Sequence, residues 1–243
     1  EYIAVKPYLD EWDLRCELIL NNGAEYRDID GNVIESIYID KKSVKQIYDI
    51  MNKENLYIQF ITTNGTFNSN KEGDKKSLIA RFKAFEPGLS TDEEAMEFIE
   101  NFYRLEGVNY FDDINEILES DAQILKILTY NNDADLIATT KKKLKEKVAD
   151  VAVAATSAND IEISHKDAQK GLILAKVIKK MGIERNEVMV LGDSFNDYSL
   201  FAEFENSYAT ENALPGIKEI AKYITASNHD HGVAKAIYKE LGI

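Results

Sequence analysis

Apolar and polar positions along this chain repeat in two periods, and the switches between them lay out an α/β order of elements. Leu18-Ile19-Leu20 is a short apolar run ending at Asn21-Asn22-Gly23, which predicts a buried strand and then a turn. Glu25 to Asp28 and Asn32 to Ile39 predict the arms of a hairpin around Asp30-Gly31, a strong turn dipeptide. Val44, Ile47, Tyr48 and Met51 fall at helical spacing behind Ser43, which can cap that helix. Leu56 to Thr62 alternates as a strand. Thr91-Asp92-Glu93-Glu94 has the form of a capping box, with Ala95, Phe98, Ile99 and Phe102 as the apolar stripe behind it. A weakly marked helix at Ile114 to Leu118 follows. After it come a strand at Gln123 to Tyr130, a helix at Asp135 to Val148, and strands at Val151 to Ala155 and Ile161 to Ile163.

The last 75 residues have a different rhythm. Gly171 to Met181 predicts a helix with Leu174, Val177, Ile178 and Met181 on one side. Val188-Met189-Val190-Leu191 is apolar without alternation, as a central parallel strand covered on both faces would be. It ends at Gly192-Asp193. Helices are expected from Asn196 to Phe204, from the first turn at Pro215, and from Val233 to Leu241. The short β-α-β-α connections predict a doubly wound parallel sheet, in which ligands sit at the carboxyl ends of the strands. At the other end, Ile3, Tyr8 and Leu9 suggest one face of a helix around Pro7. The chain opens at Glu1 with neither an initiator Met nor a signal-peptide pattern, so its start reads as a cut edge rather than a natural terminus.

Composition narrows the function classes. The 243 residues carry 29 Lys and Arg against 43 Asp and Glu, a net charge of −14. That balance argues against nucleic-acid binding, which needs a basic face. It leaves room for a phosphorylated small molecule, because a metal ion and one lysine can reverse the sign inside a single pocket. No apolar run approaches the roughly 18–20 residues of a membrane helix. The single cysteine, Cys16, excludes an internal disulfide framework and points to a reducing, cytoplasmic home. Beside a strand and with no histidine near it, Cys16 reads as a small core residue.

The sharpest chemical feature is Gly192-Asp193-Ser194-Phe195-Asn196-Asp197, where an apolar strand delivers two carboxylates and a carboxamide to its end. Asp193 and Asp197 lie four residues apart across a strand-to-helix bend, so both can face one point. Two hard oxygen donors at one point suit Mg²⁺, with water and a substrate phosphate completing its shell. The bland alternative is a helix-capping loop, where Asp and Asn are common for local reasons. About 20 residues upstream, Lys170-Gly171 begins a helix. A lysine there opposes the helix dipole and makes sense if an anion lies between the amine and the helix end. Alone, Lys170 would read as a solvated surface residue. Its order and spacing relative to Asp193 give it weight.

Taken together, these residues resemble the haloacid dehalogenase (HAD) superfamily of phosphatases, in particular its Cof-type sugar-phosphatase branch. The resemblance runs through Asn21-Asn22-Gly23-Ala24, Lys170-Gly171, Gly192-Asp193-Ser194-Phe195-Asn196-Asp197, Asn212-Ala213, Ser227-Asn228 and Gly232-Val233-Ala234. It implies hydrolysis of a phosphate monoester of a small phosphorylated metabolite, such as a sugar phosphate, through an aspartyl-phosphate with Mg²⁺. It implies Asp193 as the direct metal ligand, Asp197 as a ligand to the metal or its water, Asn196 as a donor to a phosphoryl oxygen or the nucleophile, and Lys170 as the group that holds the phosphate. It further implies a Rossmann-like core over residues 1–35 and 161–243, an inserted α/β cap over 36–160, and a monomer or dimer.

The family's nucleophile motif, Asp-x-Asp-Gly-Thr after an apolar strand and before the Asn-Gly-Ala element, has no counterpart in the 20 residues available. Asp28-Ile29-Asp30-Gly31 is a look-alike better explained as the hairpin tip. The expectation is therefore a parent phosphatase whose first strand and nucleophile lie outside this chain, and a chain that is inactive as written. A rival is a non-catalytic protein on the same fold that binds a phosphorylated metabolite or a partner. A weaker one is a phospho-acceptor signalling domain, which the long insertion disfavours. Within the insertion Tyr57, Phe60, Asn64, Phe67, Tyr130 and Asn132 could face a substrate, with a core role the better reading for each aromatic. His229-x-His231 could form a metal pair, with surface placement before a helix the better reading, and His165 has no partner at metal-site spacing. Lys141-Lys142-Lys143 predicts a solvated helix face balanced by Glu146 and Asp150.

Overall fold

The computed structural model describes residues 1–86, 88–102 and 108–243, the side chains of Phe85, Asn101 and Phe102 excepted. The side chain of the expected apolar position Phe102 thus lies outside what is described. The chain begins with α1 (Tyr2–Glu11), β1 (Leu18–Leu20), a 3-10 turn (Asn21–Gly23), β2 (Glu25–Arg27) and β3 (Val33–Ser36). Next come α2 (Lys41–Lys53), β4 (Gln59–Thr62), β5 (Gly65–Asn68), α3 (Lys71–Phe85), α4 (Asp92–Phe102), β6 (Val108–Tyr110) and α5 (Asn115–Leu118). They are followed by β7 (Ile124–Tyr130), α6 (Ala134–Lys147), β8 (Val151–Ala154) and β9 (Asp160–His165). The final part holds α7 (Lys170–Met181), β10 (Val190–Gly192), α8 (Tyr198–Glu203), β11 (Ser207–Ala209), α9 (Pro215–Lys218), β12 (Tyr223–Ile224) and α10 (Gly232–Leu241). The fold class is α/β, and the chain divides into two compact units.

The first unit comprises residues 1–36, 154–156 and 167–243. It holds an antiparallel sheet, β1-β2-β3, and a parallel sheet, β10-β11-β12. Gly31, at a φ of 84°, turns the β2–β3 hairpin. Helix α7 packs on α8 and on β1 with the turn that follows it. Ile178, Val190 and Phe204 join α7, β10 and α8 in one core, while Phe201, Ala209, Ala213 and Ile217 form another. β10 was expected to be central. Among the described residues it is an edge strand, paired with β11 alone, with Leu191 and Val188 only half-buried.

The second unit comprises residues 37–153 and 157–166. Its sheet runs β6-β5-β4-β7-β9-β8, with β4 antiparallel to β5 and β7, β7 antiparallel to β9, and β5 parallel to β6. Ile47 and Met51 of α2, Ile117 of α5 and Leu144 of α6 pack on Phe60, Ile127, Ile161 and Ile163. The boundary expected at 161 is displaced by this packing. Ile163 of β9 pairs in register with Ile127 of β7, and its apolar side belongs to that core. The aromatic expectations divide: Tyr57, Phe60 and Tyr130 are buried, Phe67 is half-buried, and Asn64 and Asn132 are exposed.

Several local expectations need correction. Ser43 does not cap α2. Asp40 does, its carboxylate accepting from the Ser43 N–H at 3.0 Å, because the helix starts three residues earlier than the apolar spacing shows. No side chain of α1 is buried, and Ile3 and Tyr8 are exposed, since its apolar residues surround the helix instead of forming a stripe. Met181 is exposed at the end of α7, where Gly182 reverses the chain at a φ of 72°. Cys16 is exposed too, in the irregular stretch between α1 and β1, where no element covers it. Lys141 is not on a solvated face: it is half-buried, donates to the Ser157 carbonyl at 3.3 Å, and has its pKa lowered by desolvation. Asp150 is engaged by Lys166 at 2.5 Å, while Lys142 reaches Glu146 only at 3.9 Å.

Candidate active site

The parallel strand β10 ends at Gly192, and the backbone turns there into a 3-10 turn, Phe195–Asp197. A Cβ on Gly192 would lie 2.6 Å from the Asp197 Cβ and 2.7 Å from its Oδ2, so the bare backbone is what lets that carboxylate fold back over the strand end. Oδ2 of Asp197 accepts from the N–H groups of Asp193 at 3.0 Å and of Ser194 at 3.4 Å. Oδ1 accepts from the Lys170 ammonium at 2.5 Å. Asp197 is buried, and an unpaired carboxylate there would be costly. Two oriented amides and one cation supply what water no longer can.

Asp193 is placed differently. Its side chain is exposed, and its carboxylate accepts no hydrogen bond among the described residues. Its backbone is held: the carbonyl accepts from the Leu214 N–H at 2.9 Å, just beyond Asn212-Ala213. Asn212 in turn accepts the Asn228 N–H at 2.9 Å through its Oδ1. Widely spaced segments of the sequence thus form one support under Asp193. Asn196 sits on the same 3-10 turn, its Oδ1 accepting from the Ser194 hydroxyl at 2.8 Å.

Lys170 opens α7, where the helix dipole would prefer an anion. The Asp197 carboxylate provides the compensating charge. The first turn of α7 is clamped by contacts remote in sequence. A Cβ on Gly171 would stand 2.1 Å from the Ser199 carbonyl oxygen, so α7 and α8 meet backbone to backbone. The Gly171 N–H donates to the Ser199 Oγ at 2.9 Å in a buried bond. On another side, Gly23 of the Asn-Asn-Gly-Ala turn lies against the backbone of Gln169, with no room for a Cβ.

The structure therefore brings Lys170 and Asp197 into contact and ties Asp193 and Asn196 to the same loop. Sequence reasoning missed Ser199 and Ser194. Ser199 meets its partner across 28 positions, and no local pattern links them. The look-alike Asp28-Ile29-Asp30-Gly31 is the tip of the hairpin, with the Asp28 carboxylate accepting from the N–H groups of Asp30 and Asn32 at 3.0 and 2.8 Å. Hydrogen bonds from the Asn32 side chain and backbone hold the Asp28 pKa below the ordinary carboxylate value. The other Asp-x-Asp pair, Asp133 and Asp135, begins α6, with Asp133 capping it through the Leu136 N–H at 2.9 Å.

Among the described residues, no group of three or more His, Cys, Asp or Glu forms a metal cage. The two carboxylates of the loop nevertheless fit Mg²⁺, which is commonly held by one or two carboxylates with waters and substrate phosphate. The exposed Asp193 carboxylate is the one free to coordinate directly. Both Asp197 oxygens already accept N–H groups, which suits contact through a water.

Comparison with known proteins follows the same lines. A family model described as haloacid dehalogenase-like hydrolase matches residues 1–237. The 5-amino-6-(5-phospho-D-ribitylamino)uracil phosphatase YwtE of Bacillus subtilis (strain 168) is 28% identical over 232 residues, which cover 95% of this chain and 79% of that protein. Phosphatase YwpJ of the same organism is 28% identical over 226 residues, 91% of this chain and 78% of its own length. Among solved structures, a haloacid dehalogenase-like hydrolase from B. subtilis matches with a TM-score of 0.83 at 25% identity, over 96% of this chain and 82% of that one. An HAD subclass IIB sugar phosphatase shares the fold at a TM-score of 0.74 and 17% identity, over 97% of this chain and 79% of that one.

Proposed function

The chain belongs to the haloacid dehalogenase-like hydrolases, and from that premise we propose that it serves the hydrolysis of a phosphate monoester of a small phosphorylated metabolite, such as a sugar phosphate, with Mg²⁺ as cofactor. The observation that carries this reading is the contact of Lys170 with Asp197 at the carboxyl end of β10, beside the exposed carboxylate of Asp193. Relatives named as phosphatases support it.

The transferring phosphoryl group spreads charge over three oxygens, so catalysis is mostly positioning and charge neutralisation. Lys170 holds the phosphate by its ammonium. Asp193 would hold the metal directly, and Asp197 orients the Lys170 amine and would reach the metal through a water. Asn196 donates its amide N–H to a phosphoryl oxygen or to the nucleophile. Bound Mg²⁺ would neutralise phosphate charge and fix the substrate in line for attack. The implied covalent step forms a bond between an aspartate oxygen and phosphorus and breaks the ester P–O bond. The leaving oxygen takes a proton from the second aspartate of the implied motif, and water, losing a proton to that same group, then cleaves the aspartyl-phosphate to free phosphate and the original aspartate. Neither Asp-x-Asp pair of residues 1–243 stands beyond a parallel strand, so the attacking aspartate is assigned to no residue here.

The second unit is read as the cap, which excludes water and selects the leaving group. A cytoplasmic location, with one cysteine in 243 residues, belongs to the same reading. No described helix is long and apolar enough to cross a membrane. A second reading is binding of a phosphorylated metabolite without turnover, which the Lys170–Asp197 pair beside the exposed Asp193 would serve equally. The test is phosphate release from p-nitrophenyl phosphate by the protein translated from its whole reading frame. Mg²⁺-dependent release that Asp193→Ala abolishes is expected, with EDTA acting like the substitution. Full activity in Asp193→Ala would remove the metal site, and phosphate binding without release would favour the second reading.

A further inference from the structure

We infer that Ser199 is a positioning residue that fixes the phosphate-holding amine by capping the helix from which it projects; this rests on the assignment of Lys170 above. A helix leaves its first N–H groups without internal partners. The Gln169 side chain at the N-cap of α7 makes no capping hydrogen bond. The Ser199 hydroxyl takes that place from a different helix, accepting the Gly171 N–H at 2.9 Å with Ser199 buried. Only a glycine at 171 permits this, since a Cβ would collide with the Ser199 carbonyl oxygen at 2.1 Å.

The two ties between the segments differ in kind. Lys170 to Asp197 is an ion pair whose lysine side chain is 30% exposed and whose ammonium must turn toward an incoming phosphate. Gly171 to Ser199 is a neutral, buried bond one residue further along one segment and two along the other. Binding of an anion has no cause to break the second tie. Ser199 therefore keeps the start of α7 in register with the Asp193–Asp197 loop while the Lys170 side chain exchanges partners. Gln169 against Gly23 blocks withdrawal on another side.

The test is a double-mutant cycle read by calorimetric titration of inorganic phosphate at saturating Mg²⁺, using the protein from its whole reading frame. Ser199→Ala, which leaves the buried Gly171 N–H without an acceptor, is expected to weaken phosphate about tenfold while Mg²⁺ affinity stays unchanged. Lys170→Ala is expected to weaken it at least as much, and Ser199→Ala should add nothing in the Lys170→Ala background. Ser199→Thr keeps the acceptor and is expected to bind like wild type. Equal losses from Ser199→Ala in both backgrounds would mean general loosening and overturn the inference, as would a Thr variant as weak as the Ala variant. Wild-type phosphate affinity in Lys170→Ala would instead overturn the assignment of Lys170 itself.

Discussion

Gly192→Ala isolates the steric condition on which the loop depends. The added methyl would stand 2.6 Å from the Asp197 Cβ, 2.7 Å from its Cγ and 2.7 Å from its Oδ2. Side-chain carbons do not approach so closely, and the Asp197 carboxylate cannot simply swing aside. Its oxygens are pinned by Lys170 at 2.5 Å and by the Asp193 and Ser194 amides at 3.0 and 3.4 Å. Overpacking of this kind costs about 1–3 kcal/mol, and hydrogen bonds to a charged group are worth about 1.5–3 kcal/mol each. A loss of about 2 kcal/mol is expected if the loop relaxes and keeps two of its three bonds. For a chain of this size that lowers Tm by roughly 4–8 °C in a thermal melt. Phosphate binding should fall with it, because Lys170 loses the partner that sets its position. Gly182→Ala is the control, since nothing lies within 4 Å of its added Cβ and its φ of 72° makes it a purely conformational perturbation. That variant should lose some stability and keep phosphate affinity. Wild-type stability and phosphate binding in Gly192→Ala would refute the steric reasoning.

Three further outcomes are open to measurement. The Glu94 carboxylate accepts from the N–H groups of Thr91 and Ser90 and from the Ser90 hydroxyl, which bring its pKa from 4.5 down to about 2. A depressed folded pKa means its contribution is present above pH 4.5 and lost as pH falls toward about 2, so backbone amides of α4 should lose exchange protection through that window in wild type but not in Glu94→Gln. Asp40→Ala should cost about 1 kcal/mol in urea unfolding and Ser43→Ala less, because the carboxylate is the cap of α2; equal effects would count against that assignment. Lys126 and Glu162 pair at 2.6 Å with each side chain 11% exposed, so Lys126→Met alone should cost about 3–5 kcal/mol. The double change Lys126→Met with Glu162→Leu should be milder than the single one, and a double as harsh as the single one would count against the unpaired charge as the source of the cost.

Much of this protein is written in short-range pattern. The period of Val44, Ile47 and Met51 marks the buried face of α2, and Pro215 marks the start of α9. Asp30-Gly31 marks the hairpin, and the capping box at Thr91 to Glu94 is present, with the Thr91 hydroxyl accepting the Glu94 N–H at 3.1 Å. Where a pattern extends only a few residues it misleads. The apolar run before Gly192 has the composition of a strand covered on both faces, yet exposure of Leu191 depends on neighbours that composition does not name. Cys16 has the chemistry of a core residue and no element above it.

The sequence alone determined the family, through the order and spacing of Lys170-Gly171 and Gly192 to Asp197, and it determined which residue types are available for phosphate and metal. Tertiary structure alone decided their partners. It gave the Lys170 ammonium to Asp197 and left Asp193 exposed, set Ser199 on the first turn of α7, and drew β9 into the second unit beside β7. The physical reason is range: periodicity and capping act over a few residues, whereas these contacts join groups about 30 positions apart and exist only once buried surfaces have chosen how to pack.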